Sequence, residues 1–181
     1  GTPAAALAAD KGFDVLYLTD EVDEFVMKTL MTYNEKNIMS VLDENNGLVS
    51  EDDIKKAKEQ AEDSKELLTF IKDSLEGAVS EVTLAGGLKD FAVNLNTKGG
   101  ITLEMEKYFA QMPGENHPKA ERVLELNPDH SAFKAMESCY KEDPEKAKKY
   151  AKILHGEALL SAGFMPDDPF AFCNLVSELL K

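Results

Sequence analysis

Apolar residues recur along this chain with two different periods, and the period changes where turn residues fall. Residues 2–11 are alanine-rich and predict a helix that Gly12 stops. The apolar run Phe13-Asp14-Val15-Leu16-Tyr17-Leu18 then predicts a largely buried strand. A second helix starts at Thr19-Asp20, where Val22, Phe25, Val26, Leu30 and Tyr33 recur at three- and four-residue spacing and give an apolar stripe expected to face that strand. A short strand over residues 37–42 follows.

Residues 43–50 are polar and turn-rich, and Ser50-Glu51-Asp52-Asp53 has the S-x-x-D form of a helix start, with a hydroxyl to cap and acids at the positive dipole end. A domain boundary is expected here, separating residues 1–47 from 48–181. Between residues 43 and 66 nine acids stand against four lysines, so the first half of this helix reads as a solvated connector. Leu67, Leu68, Ile71 and Leu75 give its second half a stripe to dock, and Gly77 ends it. Strands are expected at 79–84, 91–95 and 123–126, separated by Gly86-Gly87, Gly99-Gly100 and a helix over 103–112. Helices at 131–140, 145–162 and 170–180 complete an α+β chain: a small α/β/α piece, then a domain with a three-stranded antiparallel sheet and helices.

The last two helices carry more apolar surface than one packing face needs. Ala147, Tyr150, Ala151, Leu154, Ala158 and Ser161 form one stripe, and Ile153 and Leu160 extend it onto a second face. Asp143-Pro144 supplies a cap and a proline at the first helical position, Gly163 supplies a left-handed stop, and Asp168-Pro169 repeats the starting grammar. The final helix carries Phe172, Leu175, Val176, Leu179 and Leu180. Two readings compete at this point: the helices close a bundle within one chain, or two such hairpins pair about a twofold axis into a four-helix bundle. The helix at 103–112 poses a similar choice. Ile101 precedes it, and Met105, Tyr108, Phe109 and Met112 line one side opposite Glu104, Glu106, Lys107 and Gln111, a stripe suited to packing on the sheet or to adaptable recognition.

The net charge of −14 argues against nucleic acid and anionic membrane surfaces as partners. The apolar opening stretch, residues 4–9, is too short to span a bilayer and lacks a basic flank, which gives a soluble, cytoplasmic expectation. Cys139 and Cys173 lack CxxC spacing and read as free buried thiols in a reducing compartment. His117, His130 and His155 are scattered, so no metal site is expected, although His130 is placed to cap the following helix. The paired glycines lack the lysine of a phosphate cradle, and Ser138 and Cys139 have no histidine close in sequence. No catalytic set is expected.

Four stretches carry a resemblance. They are Lys11-Gly12-Phe13-Asp14-Val15-Leu16-Tyr17-Leu18-Thr19-Asp20 with Val22-Asp23-Glu24 after it; Leu103-Glu104-Met105-Glu106-Lys107; Leu124-Glu125-Leu126-Asn127-Pro128-Asp129-His130; and Ala158-Leu159-Leu160-Ser161-Ala162-Gly163-Phe164 leading to Asp168-Pro169. In this order they resemble the C-terminal part of the ninety-kilodalton heat-shock chaperones known in bacteria as the HtpG family. The resemblance implies that residues 1–47 end the middle domain and that 48–181 form the C-terminal dimerization domain. It implies a homodimer through Tyr150, Ala151, Ile153, Leu154, Ala158, Leu160, Phe172, Leu175, Val176 and Leu179. It further implies contact with unfolded or partly folded client proteins through Phe25, Ile101, Met105, Tyr108, Phe109 and Met112. ATP and Mg belong to family parts absent from this sequence, so this piece is expected to hold no cofactor and not to be an enzyme. An ending at Leu180-Lys181 without an acidic co-chaperone-binding pentapeptide implies a bacterial origin. The competing expectation is a stand-alone acidic helical adaptor with one partner.

Overall fold

A computed structural model describes residues 2–20, 22–41, 46–114 and 117–179. Helix α1, Pro3–Asp10, begins where the Thr2 hydroxyl accepts the Ala5 N–H at 3.3 Å and Pro3 occupies the first turn. It ends before Gly12, whose φ of +80° favours glycine. Residues 13–18 do not form the buried strand that their apolar content predicts. They run without a paired strand, and Leu16 and Tyr17 are 71% and 72% exposed. A strand is stabilised by a neighbouring ladder and a covered face, and this stretch has neither.

Helix α2, Asp23–Leu30, is likewise not turned toward that strand. It buries no residue, and Val22, Val26, Leu30 and Tyr33 are exposed. The Asp23 carboxylate accepts the N–H groups of Thr19 and Asp20 at 3.1 and 3.0 Å, which fixes the turn that starts the helix. In place of the expected 37–42 strand there is a hairpin, β1 Thr32–Tyr33 with β2 Lys36–Asn37. Its two-residue turn has φ of 47° at Asn34 and 64° at Glu35, the sign that matches the twist of a tight hairpin. Residues 42–45 lie outside the described residues.

The connector is two helices, α3 Glu51–Asp63 and α4 Lys65–Ser74, meeting at Ser64. Ser50 starts the first as its sequence predicts: its Oγ accepts the Asp53 N–H at 3.1 Å and donates to the Asp53 carboxylate at 2.6 Å. The solvated half buries only Ala57, whereas α4 buries Leu67, Leu68 and Ile71.

Three strands follow, β3 Glu81–Leu84, β4 Val93–Lys98 and β5 Glu121–Leu126, in the order β3-β5-β4. The sheet is mixed, not antiparallel as expected: β5 runs antiparallel to β4 but parallel to β3. Successive strands do reverse direction along the chain. The last inserts between the first two and takes the central place, where Leu124 and Leu126 are fully buried. Its register aligns Val82, Leu84, Val93, Leu95, Leu124 and Leu126 on one face. On the other face the Asn94 and Asn96 amides both donate to the Glu125 carboxylate, at 2.7 and 2.9 Å.

Helix α5, Leu103–Ala110, links β4 to β5; α6, Ser131–Glu142, α7, Pro144–Ser161, and α8, Pro169–Leu179, end the described chain. His130 caps α6, its Nδ1 accepting the Ala132 N–H at 3.1 Å. One core joins α4, the apolar sheet face, Phe133 and Met136 of α6, and Ala151, Leu154, Ala158 and Leu159 of α7. Both cysteines are free, but Cys139 is half-buried and Cys173 exposed, so neither is the buried thiol expected.

Candidate functional site

Two surfaces carry the residues that the sequence singles out for contact with partners. The first is built on α5. Its start is fixed by Thr102, whose Oγ accepts the Met105 N–H at 3.2 Å and donates to the Glu24 carboxylate at 2.7 and 2.9 Å. That hydroxyl therefore ties α5 to α2. Leu103 and Glu106 are buried on the inner side. Glu106 uses both carboxylate oxygens, one on the Ala120 N–H at 3.0 Å and one on Arg122 at 2.7 Å, so its charge is buried with partners.

The outer side of α5 meets α2. Phe25 approaches Tyr108 edge-on with ring centroids 5.5 Å apart, Tyr108 stands 6.0 Å from Phe109, and the Lys28 ammonium lies 3.5 Å from the Met105 sulfur. Four of the six residues expected to meet clients, Phe25, Met105, Tyr108 and Phe109, thus form one half-buried patch drawn from two distant segments of the sequence. Ile101 packs against the core instead, and Met112 lies beyond the end of α5 and is exposed.

The second surface is the α7–α8 hairpin. Asp143 Oδ1 accepts the Lys146 N–H at 3.1 Å with Pro144 at the first helical position, and Asp168 Oδ1 accepts the Ala171 N–H at 2.9 Å. Between them Gly163, at φ +79°, donates to the Leu160 carbonyl at 3.0 Å, and Phe164 N–H reaches the Leu159 carbonyl at 2.8 Å. This pair of bonds is a Schellman stop. The Lys149 ammonium joins α7 to Glu178 of α8 at 2.6 Å. Phe172 sits on Gly156: a Cβ there would lie 2.4 Å from its ring.

The ten residues expected at a dimer interface divide accordingly. Ala151, Leu154 and Ala158 are buried in the chain's own core, and Tyr150 packs against that core. Phe172 holds the hairpin together. Ile153, Leu175, Val176 and Leu179 are half-buried, and Leu160 is 45% exposed. Leu180 lies outside the described residues. Sequence reasoning overlooked Met165, in the hairpin bend, and Phe170, in the first turn of α8, which are 68% and 85% exposed. The available signal was two large apolar residues flanking Asp167-Asp168, off the helical stripe.

The Nε2 of His155 is buried without a hydrogen-bond partner among the described residues. Burial holds its pKa below the usual imidazole value of 6.5, and the nearby Arg122 charge adds to this while Asp167 opposes it. Gly86 is pressed against Asp53, with a would-be Cβ 3.1 Å from its backbone, so Gly86-Gly87 does not open as a phosphate cradle. Among the described residues no three acids, histidines or cysteines converge as metal ligands would, and no helix is long and apolar enough to cross a membrane.

Comparison with known proteins supplies a context for both surfaces. Residues 2–181 match the family model described as Hsp90 protein. The chain is 42% identical over 179 residues to the chaperone protein HtpG of Clostridium acetobutylicum, covering 99% of this chain and 28% of that protein. The chaperone proteins HtpG of Shouchella clausii and Bacillus subtilis are 41% and 35% identical, each over 98% of this chain and 28% of their own length. The chain therefore spans little more than a quarter of these relatives.

Proposed function

The chain belongs to the Hsp90 protein family, and from that premise we propose that it is the dimerization and client-holding end of an ATP-dependent chaperone. Nucleotide binding and hydrolysis are assigned to the remainder of such a chaperone, and no step of that chemistry is assigned to residues here. Residues 1–47 would close its middle domain and 48–181 would form the dimerizing domain.

The observation that carries the reading is α8: an apolar helix with no residue buried among those described, its own Phe170 exposed, packed on an α7 that leaves Leu160 exposed. A single chain leaves this surface in water at a cost of about 1.5–3 kcal/mol for each large side chain that a partner would cover. A second hairpin related by a twofold axis would cover Leu160, Phe170, Val176 and Leu179 and complete a four-helix bundle.

The Phe25, Met105, Tyr108 and Phe109 patch is proposed to hold exposed apolar segments of client chains. Aromatic rings supply area and a thioether adapts its shape, which suits partners of varied sequence. The double substitution Tyr108→Ser and Phe109→Ser is expected to abolish suppression of aggregation of a heat-denatured client, measured by light scattering, while leaving the sedimenting mass unchanged. Loss of fold and of dimer together would make these residues core and overturn the client assignment.

A further inference from the structure

Helix α5 has eight residues, too few to hold an orientation unaided. Its seating therefore depends on side chains, and two consecutive ones reach to the same place. Lys107 donates to the Ala162 carbonyl at 2.7 Å, where its ammonium meets the negative end of the eighteen-residue α7, and it also pairs with Glu104 at 2.7 Å. The same ammonium lies 4.9 Å from the centre of the Phe164 ring. The Arg122 guanidinium also lies over that ring, 4.8 Å from its centre, and is gripped by Glu106. Phe164 thus meets two cations, one carried by α5 and the other fixed by an α5 carboxylate, contacts that an aromatic face favours. Backbone geometry holds the ring there, because Phe164 is the residue immediately after the Gly163 stop of α7.

We propose that Lys107 and Phe164 are positioning residues that join the recognition face of α5 to the end of the α7–α8 hairpin. Glu106 and Lys107 sit between Met105 and Tyr108 in the chain, so whatever fixes the first pair sets the direction of the second. The functional consequence rests on the client-holding reading; the positioning itself does not.

Hydrogen exchange on the full chain separates the two. Phe164→Leu and Lys107→Met should each accelerate exchange of the α5 amides by roughly twofold to thirtyfold, the range a cation–aromatic contact supplies from exposed to desolvated sites. Amides of α4 and β5 should keep their rates, and the double variant should fall short of the product of the two single effects, because the two residues share one contact. Lys107→Arg, which keeps a cation over the ring, should restore slow exchange. Unchanged α5 rates in both single variants, or equal acceleration in every element, would overturn the proposal. Accelerated α5 exchange with undiminished client holding would leave the positioning role standing and refute the client reading of α5.

Discussion

Gly156 occupies the interior of a helix, a position where glycine costs about 1 kcal/mol relative to alanine. Alanine would ordinarily stabilise such a helix. Here its Cβ would meet the Phe172 ring at 2.4 Å, so Gly156→Ala is expected to lower unfolding free energy by about 1–3 kcal/mol, as overpacking does, read from urea denaturation. Adding Phe172→Leu should recover part of that loss, and an unaided gain from Gly156→Ala would show that the ring is not seated there. His155 makes a second prediction. Its folded pKa is depressed by burial and by Arg122, so the unfolded chain binds the proton more readily. The stability that neutral His155 contributes is complete above the ordinary value of 6.5 and is lost as pH falls from there through the folded value. Wild type should therefore lose more stability than His155→Gln between about pH 7.5 and about pH 5.5, a window above most carboxylate titration. Equal losses would contradict the placement of this imidazole.

Among the elements, what is local was legible. The caps at Ser50, His130, Asp143 and Asp168 and the stop at Gly163 are decided within a few residues, and each appears where the sequence put it. The three core strands and the six later helices were legible for the same reason, apart from their ends and the break at Ser64. Strand order was not, because β3 and β5 are equally apolar by sequence and which edges pair is decided by packing between distant segments. Residues 13–18 and the α2 stripe show another limit: apolar periodicity reports a surface suited to burial without naming what covers it. The candidate site divides in the same way. The α5 stripe could be read residue by residue, but its union with Phe25 could not, since Lys28 and Met105 touch across 77 positions of sequence. Met165, in the bend, and Phe170, in the first turn of α8, were missed because both fall outside the periodic stripe.

At the scale of the whole molecule, two copies that each carry a charge of −14 repel. The proposed association must then come from apolar surface, and the α7–α8 hairpin offers it through Leu160, Phe170, Val176 and Leu179. Raised salt screens the repulsion without weakening such contacts, so it should tighten the dimer. The most direct test is sedimentation equilibrium of the chain at micromolar concentration, beside a chain ended at Gly163. The account predicts twice the 19.9 kDa chain mass for the first and a monomer or an insoluble product for the second. A soluble full-length chain that stays at 19.9 kDa at every concentration would contradict it.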